Sequence, residues 1–217
     1  MIPKEMRATM RAASFDLSDS RKMCCHADLN LIDDVINIMH GYVPAGMAVV
    51  QLGAGSGTMA LMVMSNANTK MLVTIDNDQQ SLNWEEQVLK NCGWTGNASE
   101  NGSLGMPYYT AKFADSTYPD FREEFSLYYP DLIIIDADHS YEGVRNDLRF
   151  WQPLAHPKAS FFLHDYRSGI LQQDGEDIEP ESYPGVKQAA DEFFGRNADM
   201  EKGWSGVFFN DAVKQNV

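Results

Sequence analysis

Apolar positions along the chain fall into two alternating kinds of segment. Between Asp28 and Met39, Leu29, Ile32, Val35, Ile36 and Met39 recur at helical spacing, and Gly41 follows as a stop. Met47 to Leu52 is a short apolar run that ends in glycines, which reads as a buried strand. The alternation then continues. Thr58 to Asn66 predicts a buried helix rich in Met and Ala, Met71 to Ile75 a second strand, and Ser81 to Asn91 an amphipathic helix closed by Gly93. Tyr108 to Phe113 reads as a third strand, Asp120 to Tyr128 as a helix and Leu132 to Ile135 as a fourth strand. Ser140 can cap a helix from Tyr141 to Trp151. Ala159 to Leu163, Val186 to Phe194 and Trp204 to Phe209 supply a fifth strand, a last helix and a last strand.

Strands alternating with helices predict a parallel sheet covered on both faces. The fourth strand is apolar at every position, so it belongs in the middle of that sheet. Trp84, Trp94 and Trp151 are expected in the core. Thr95 to Pro107 reads as a loop, as does Gly169 to Tyr183, whose five acids between Asp174 and Glu181 favour exposure. No repeat or linker divides the chain. The expectation is one domain over residues 1–217, with residues 1–27 as an arm and 169–183 as an acidic loop, both closing over a pocket at the strand ends.

Composition narrows the function. The 217 residues carry 17 Lys and Arg against 31 Asp and Glu, a net charge of −14. That excess of acid argues against nucleic acid and against an anionic membrane surface as partners. Three cysteines cannot form an even disulfide framework, and no apolar run approaches the length of a membrane span, so a cytoplasmic protein is expected. Cys24, Cys25 and His26 lie together without a second ligand cluster and read as packing or surface.

The strand ends carry the chemistry. Gln51-Leu52-Gly53-Ala54-Gly55-Ser56-Gly57-Thr58 lies directly between a strand and a helix, where glycines let backbone approach a ligand and a helix N-terminus offers unpaired N–H groups. A dinucleotide fingerprint would need its third glycine at position 58, which is Thr, so the pattern is G-x-G-x-G. Asp76 closes the second strand, where a carboxylate can accept both hydroxyls of a ribose. Asp115 and Ser116 close the third, Asp136, Asp138 and His139 the fourth, and His164 and Asp165 the fifth. In an open α/β sheet these ends face one crevice.

With Gly53-Ala54-Gly55-Ser56-Gly57, Ile75-Asp76, Asp136-Ala137-Asp138-His139-Ser140-Tyr141-Glu142-Gly143 and His164-Asp165-Tyr166, the chain resembles class I S-adenosylmethionine-dependent methyltransferases. It is most similar to the subgroup of macrocin-type O-methyltransferases and cephalosporin-hydroxylase-like proteins. The resemblance implies a Rossmann-like, seven-stranded, mostly parallel sheet with helices on both faces. It implies that Gly53, Gly55 and Gly57 pass under the methionine part of the cofactor, with Asp136 beside them. Asp76 would bind the ribose, and Asp115 with Ser116 would meet the adenine. Metal-dependent members hold a divalent cation through acids at the ends of strands four and five, which Asp136 and Asp165 match. His164 stands where a carboxylate is usual, and Gln51 where the glycine motif usually begins with an acid. The sequence therefore leaves open Mg²⁺ with His164 turned away, a softer ion with His164 as ligand, or no ion.

The implied reaction is O-methylation of a small-molecule hydroxyl, for which His139 or Asp138 would take the proton. Three other classes remain. A nicotinamide-dependent oxidoreductase would share the glycine turn and Asp76 but would not need the acids of strands four and five. A metal-dependent hydrolase or hydroxylase-like enzyme would use Asp136, His164 and Asp165 without the cofactor, and a non-catalytic descendant would bind it without a base. Tyr183 and Lys187 imitate the pair of short-chain dehydrogenases, but Pro184 and Gly185 place Tyr183 outside the helix. A homo-oligomer is compatible with the sequence and not specified by it.

Overall fold

The computed structural model describes residues 4–21, 26–94, 107–126, 129–167 and 184–210. Two helices open the chain, α1 (Lys4–Arg21) and α2 (His26–His40), and the alternation follows: β1 (Met47–Leu52), α3 (Thr58–Ser65), β2 (Thr69–Asp76), α4 (Gln79–Asn91) and β3 (Tyr108–Phe113). Then come α5 (Phe121–Phe125), β4 (Leu132–Ile135), α6 (Tyr141–Trp151), β5 (Ser160–Leu163), α7 (Pro184–Phe194), β6 (Met200–Lys202) and β7 (Ser205–Phe209).

The seven strands form one sheet in the order β3-β2-β1-β4-β5-β7-β6. Pairing is parallel from β3 to β5 and antiparallel where β7 and β6 complete the edge. The seven-stranded, mostly parallel architecture is as expected, with β6 as the strand that periodicity does not reveal. β4 lies between β1 and β5 with all four residues buried.

Because side chains alternate along a strand, the sheet separates two apolar cores. Leu132 and Ile134 join Val49, Leu72 and Phe162 under α1 to α4, while Ile133 and Ile135 join Val50, Leu52 and Leu163 under α5 to α7. All eight residues of α3 are buried because α1 covers its outer side, with the Ser14 hydroxyl donating to the Thr58 carbonyl at 2.9 Å. The N-terminal arm is thus a helix docked on α3 over the described part of its length. Residues 169–183 lie outside the described residues, as do Cys24 and Cys25.

Trp94 and Trp151 are buried, but Trp84 is 43% exposed. Leu82, Glu85, Val88 and Leu89 form the inward face of α4, and helical geometry turns position 84 outward. None of the described helices is long and apolar enough to cross a membrane.

Candidate active site

The sheet order reverses direction at β1. Its neighbour on one side is β2 and on the other β4, so the loops leaving β1 and β4 run apart and open a crevice between them. The crevice has a volume of about 850 Å³ and is bordered by residues from the ends of all five parallel strands.

Register sets the first contact in it. Leu52 pairs with Ile135, and the Asp136 amide donates to the Leu52 carbonyl at 2.9 Å, so Gly53 is pressed against Asp136. A Cβ on Gly53 would lie 2.1 Å from the Asp136 carbonyl oxygen, and its φ of +91° is left-handed. Glycine is therefore required by contact and by backbone angle together. Gly55 and Gly57 also have positive φ, and Gly57 leads directly into α3.

Asp76 rigidifies this turn from the neighbouring strand. Its Oδ2 accepts from the Ala54 amide and its Oδ1 from the Asp78 amide, both at 2.7 Å. Each oxygen retains a second lone pair toward the crevice. At the end of β3, Asp115 accepts from the Thr117 amide and hydroxyl, while Ser116 donates to Asp147 of α6 at 2.5 Å. Burial pushes the Asp147 carboxyl up to about 7, against the Ser116 hydrogen bond and with help from Asp115 and Asp138.

The opposite end of the crevice holds a cluster of imidazoles and carboxylates. His139 Nε2 lies 3.2 Å from Asp136 Oδ1, and His139 Nδ1 lies 3.5 Å from Asp165 Oδ2. His164 Nδ1 lies 3.0 Å from Asp136 Oδ1 and 3.4 Å from Asp165 Oδ2. Burial works against the charge on Asp136, but His164 and His139 outweigh it and hold the carboxyl at about 2. Burial likewise opposes the charge on His139, and the flanking Asp136 and Asp165 nevertheless raise it. Asp138 faces away from this cluster into its own turn, accepting from the Ser140 amide at 2.9 Å and from the Ser140 hydroxyl at 3.0 Å. Ser140 in turn caps α6 by accepting from the Gly143 amide at 3.0 Å.

The structure thus brings Asp136, His139, His164 and Asp165 together at one end of the crevice and sets Asp76 and Asp115 toward the other. Sequence reading missed three buried acids around these groups. Glu85 of α4 lies under the glycine turn, accepting from Gln51 Nε2 at 3.1 Å and from the Tyr109 hydroxyl at 2.8 Å. Gln51 Nε2 also donates to the Gly53 carbonyl at 2.8 Å, so the acid absent from position 51 is supplied from α4. Burial pushes Glu85 up to about 7, against its hydrogen bonds. Asp147 supports Ser116, and Asp28 of α2 accepts from the Trp204 amide at 2.8 Å and the Ser205 hydroxyl at 2.7 Å behind His164. The available signal was an acid on the apolar face of each helix: Glu85 beside Leu82 and Val88, Asp147 beside Val144 and Leu148, and Asp28 beside Leu29 and Ile32.

A family model described as a methyltransferase domain matches residues 50–166, more than half of the chain. No curated protein matches the sequence. Among solved structures, a protein from Corynebacterium glutamicum superposes with a TM-score of 0.60 at 13% identity, over 94% of this chain and 89% of its own. An O-methyltransferase from Bacillus cereus in complex with SAH gives 0.54 at 9% identity, over 87% and 80%. The calicheamicin methyltransferase CalS11 gives 0.56 at 12% identity, over 84% and 78%. At these identities the likeness is one of fold.

Proposed function

From a chain that belongs to the methyltransferase-domain family, we infer S-adenosylmethionine-dependent methylation of a hydroxyl on a small-molecule acceptor, at the crevice between β1 and β4. The observation that carries this reading is the contact of Gly53 with Asp136, with Asp76 anchoring the same turn. It leaves an open backbone surface beside a ribose-binding carboxylate, at the topological switch point where a nucleoside cofactor sits.

In this reading Gly53, Gly55 and Gly57 underlie the methionine part, Asp76 takes the ribose hydroxyls, and Asp115 and Ser116 border the adenine. Methyl transfer is an in-line displacement, so the protein's task is to align the acceptor oxygen with the methyl group and remove its proton. The candidate bases are His139 in that cluster and Asp138, which borders the crevice from its turn with Ser140 and would have to leave that turn to reach the acceptor. Asp136 and Asp165 on either side of His139 favour its protonated form, so an unliganded His139 accepts a proton only above its usual range. The acidic crevice favours a sulfonium cation as cofactor and disfavours nucleic acid as acceptor. A buried free thiol at Cys92 supports a cytoplasmic setting.

Calorimetric titration with S-adenosylhomocysteine and with NAD tests the reading. Binding of the former alone is expected, and NAD binding without a response to S-adenosylhomocysteine overturns it. Asp76→Ala should weaken S-adenosylhomocysteine about 10–100-fold, the loss expected when a charged group's hydrogen bonds to a ligand are removed.

A further inference from the structure

We propose that Asp136, His139, His164 and Asp165 form a site for one borderline transition-metal dication of the Zn²⁺, Co²⁺ and Fe²⁺ class, in preference to Mg²⁺. One ligand atom from each of the four residues can be chosen so that all lie within 4.8 Å of one another. The separations from His164 Nδ1 to Asp136 and Asp165 are 3.0 and 3.4 Å, and those from the two ring nitrogens of His139 are 3.2 and 3.5 Å. Ligands about 2.0–2.2 Å from a single ion stand roughly this far apart, at about 3.0–3.5 Å. His164 Nδ1 already stands at that spacing from both carboxylates, and His139, which gives one ring nitrogen to a single ion, has only to close from within 4.8 Å.

The backbone is shaped for convergence. His164 and Asp165 are consecutive at the end of β5, and successive side chains of an extended strand point to opposite sides. Asp165 instead has φ +55°, a left-handed conformation rare for a residue with a Cβ, and the two side chains turn to the same side, with His164 Nδ1 3.0 Å from Asp136 and Asp165 Oδ2 3.5 Å from His139 and 3.4 Å from His164. Behind the cluster, the fully buried Asp28 places Oδ2 4.0 Å from His164 Nε2, the far nitrogen of the ring. A carboxylate behind the outer nitrogen of a ligating histidine fixes its tautomer and orientation. At 4.0 Å Asp28 is in ion-pair range of that nitrogen, and closing by about 1 Å would let it accept the ring proton and take that positioning role.

The donor set selects the ion. Mg²⁺ takes near-octahedral oxygen ligands and retains water, whereas two imidazoles with two carboxylates suit Zn²⁺, Co²⁺ or Fe²⁺. All four residues line the crevice, so an ion held there would face the acceptor and would supply Lewis-acid chemistry to it. This inference rests on the methyltransferase reading for the use of the ion and not for its binding.

The test titrates full-length, chelator-treated protein with Co²⁺ alone, following the visible ligand-field absorption, and then with Zn²⁺ and Mg²⁺ in competition. The expected result is one Co²⁺ per chain, displaced by Zn²⁺, with Mg²⁺ at least about 100-fold weaker. His164→Asp should narrow the gap between Zn²⁺ and Mg²⁺ by about tenfold or more, and Asp28→Asn should loosen Zn²⁺ about 10–100-fold. Absence of Co²⁺ binding, Mg²⁺ as tight as Zn²⁺, or Zn²⁺ affinity unchanged in both His139→Ala and His164→Ala each overturns the site. S-adenosylhomocysteine calorimetry on the same metal-free protein separates the two readings. A Co²⁺ spectrum without S-adenosylhomocysteine binding counts against the methyltransferase reading alone, and the reverse counts against the metal site alone.

Discussion

Gly53→Ala should abolish S-adenosylhomocysteine binding and destabilise the fold by about 2–4 kcal/mol, the combined cost of a left-handed alanine and an overpacked contact. The new methyl would meet the Asp136 carbonyl oxygen at 2.1 Å, far inside van der Waals contact. Neither side can retreat. Gly53 donates its amide to the Ile75 carbonyl at 2.9 Å, and Asp136 donates its own to Leu52, so β2, β1 and β4 fix both strands. Relief would require prising β4 from β1 at the point where the crevice opens, which displaces Asp136 from His139 and His164 as well. Gly195 provides the control: it has φ +65° but nothing within 4 Å of its Cβ position, so Gly195→Ala should cost about 1–2 kcal/mol and leave ligand binding intact. Urea denaturation and calorimetry on the two variants check this. Equal destabilisation of both, with binding retained in Gly53→Ala, would mean that the contact with Asp136 is not what makes glycine necessary.

β1 and β4 were legible because hydrophobic runs of four to six residues bounded by Gly or Asp lie almost wholly buried, β3 because its aromatic and Thr residues favour a half-exposed edge strand, and all three begin and end where the sequence places them. Two elements were not. The inward face of α1 includes Ser14 and Ser18, both buried, which interrupt the apolar stripe of Met6, Met10 and Ala13 that would have announced a helix. β6 has three residues, two of them charged, and its place comes from antiparallel pairing with β7 rather than from any pattern of its own. The same division holds at the crevice. Strand-end acids can be read one by one, but the proximity of His139 to Asp165 follows from the β4–β5 register, in which Ile135 faces Leu163. Gln51 shows the limit most clearly. Read alone it is a missing acid, whereas in the fold it is the hydrogen-bond partner of an acid that arrives 34 residues later, from α4.

Stability should fall as pH rises from about 4.5 to about 7, and Glu85→Gln should remove a large part of that slope. Glu85 has its folded-state pKa raised from 4.5 to about 7, chiefly by burial. Between those values the folded chain holds a proton that the unfolded chain has released, so the unfolded state binds fewer protons and stability declines with pH. At about 1.4 kcal/mol per pH unit, Glu85 alone removes roughly 3 kcal/mol across the window. Asp147, raised from 3.8 to about 7, acts in the same direction from slightly lower pH. Asp136 acts oppositely and elsewhere: lowered from 3.8 to about 2, it contributes stability above 3.8 that is lost as pH falls through 2, outside the window of Glu85. An amide resembles the protonated carboxyl in size and charge, so Glu85→Gln should match the parent near pH 5 and exceed it by roughly 2–3 kcal/mol near pH 8. Urea denaturation of both proteins across this range measures the difference. Parallel stability curves would show that Glu85 is ionised throughout, with Gln51 and Tyr109 outweighing its burial.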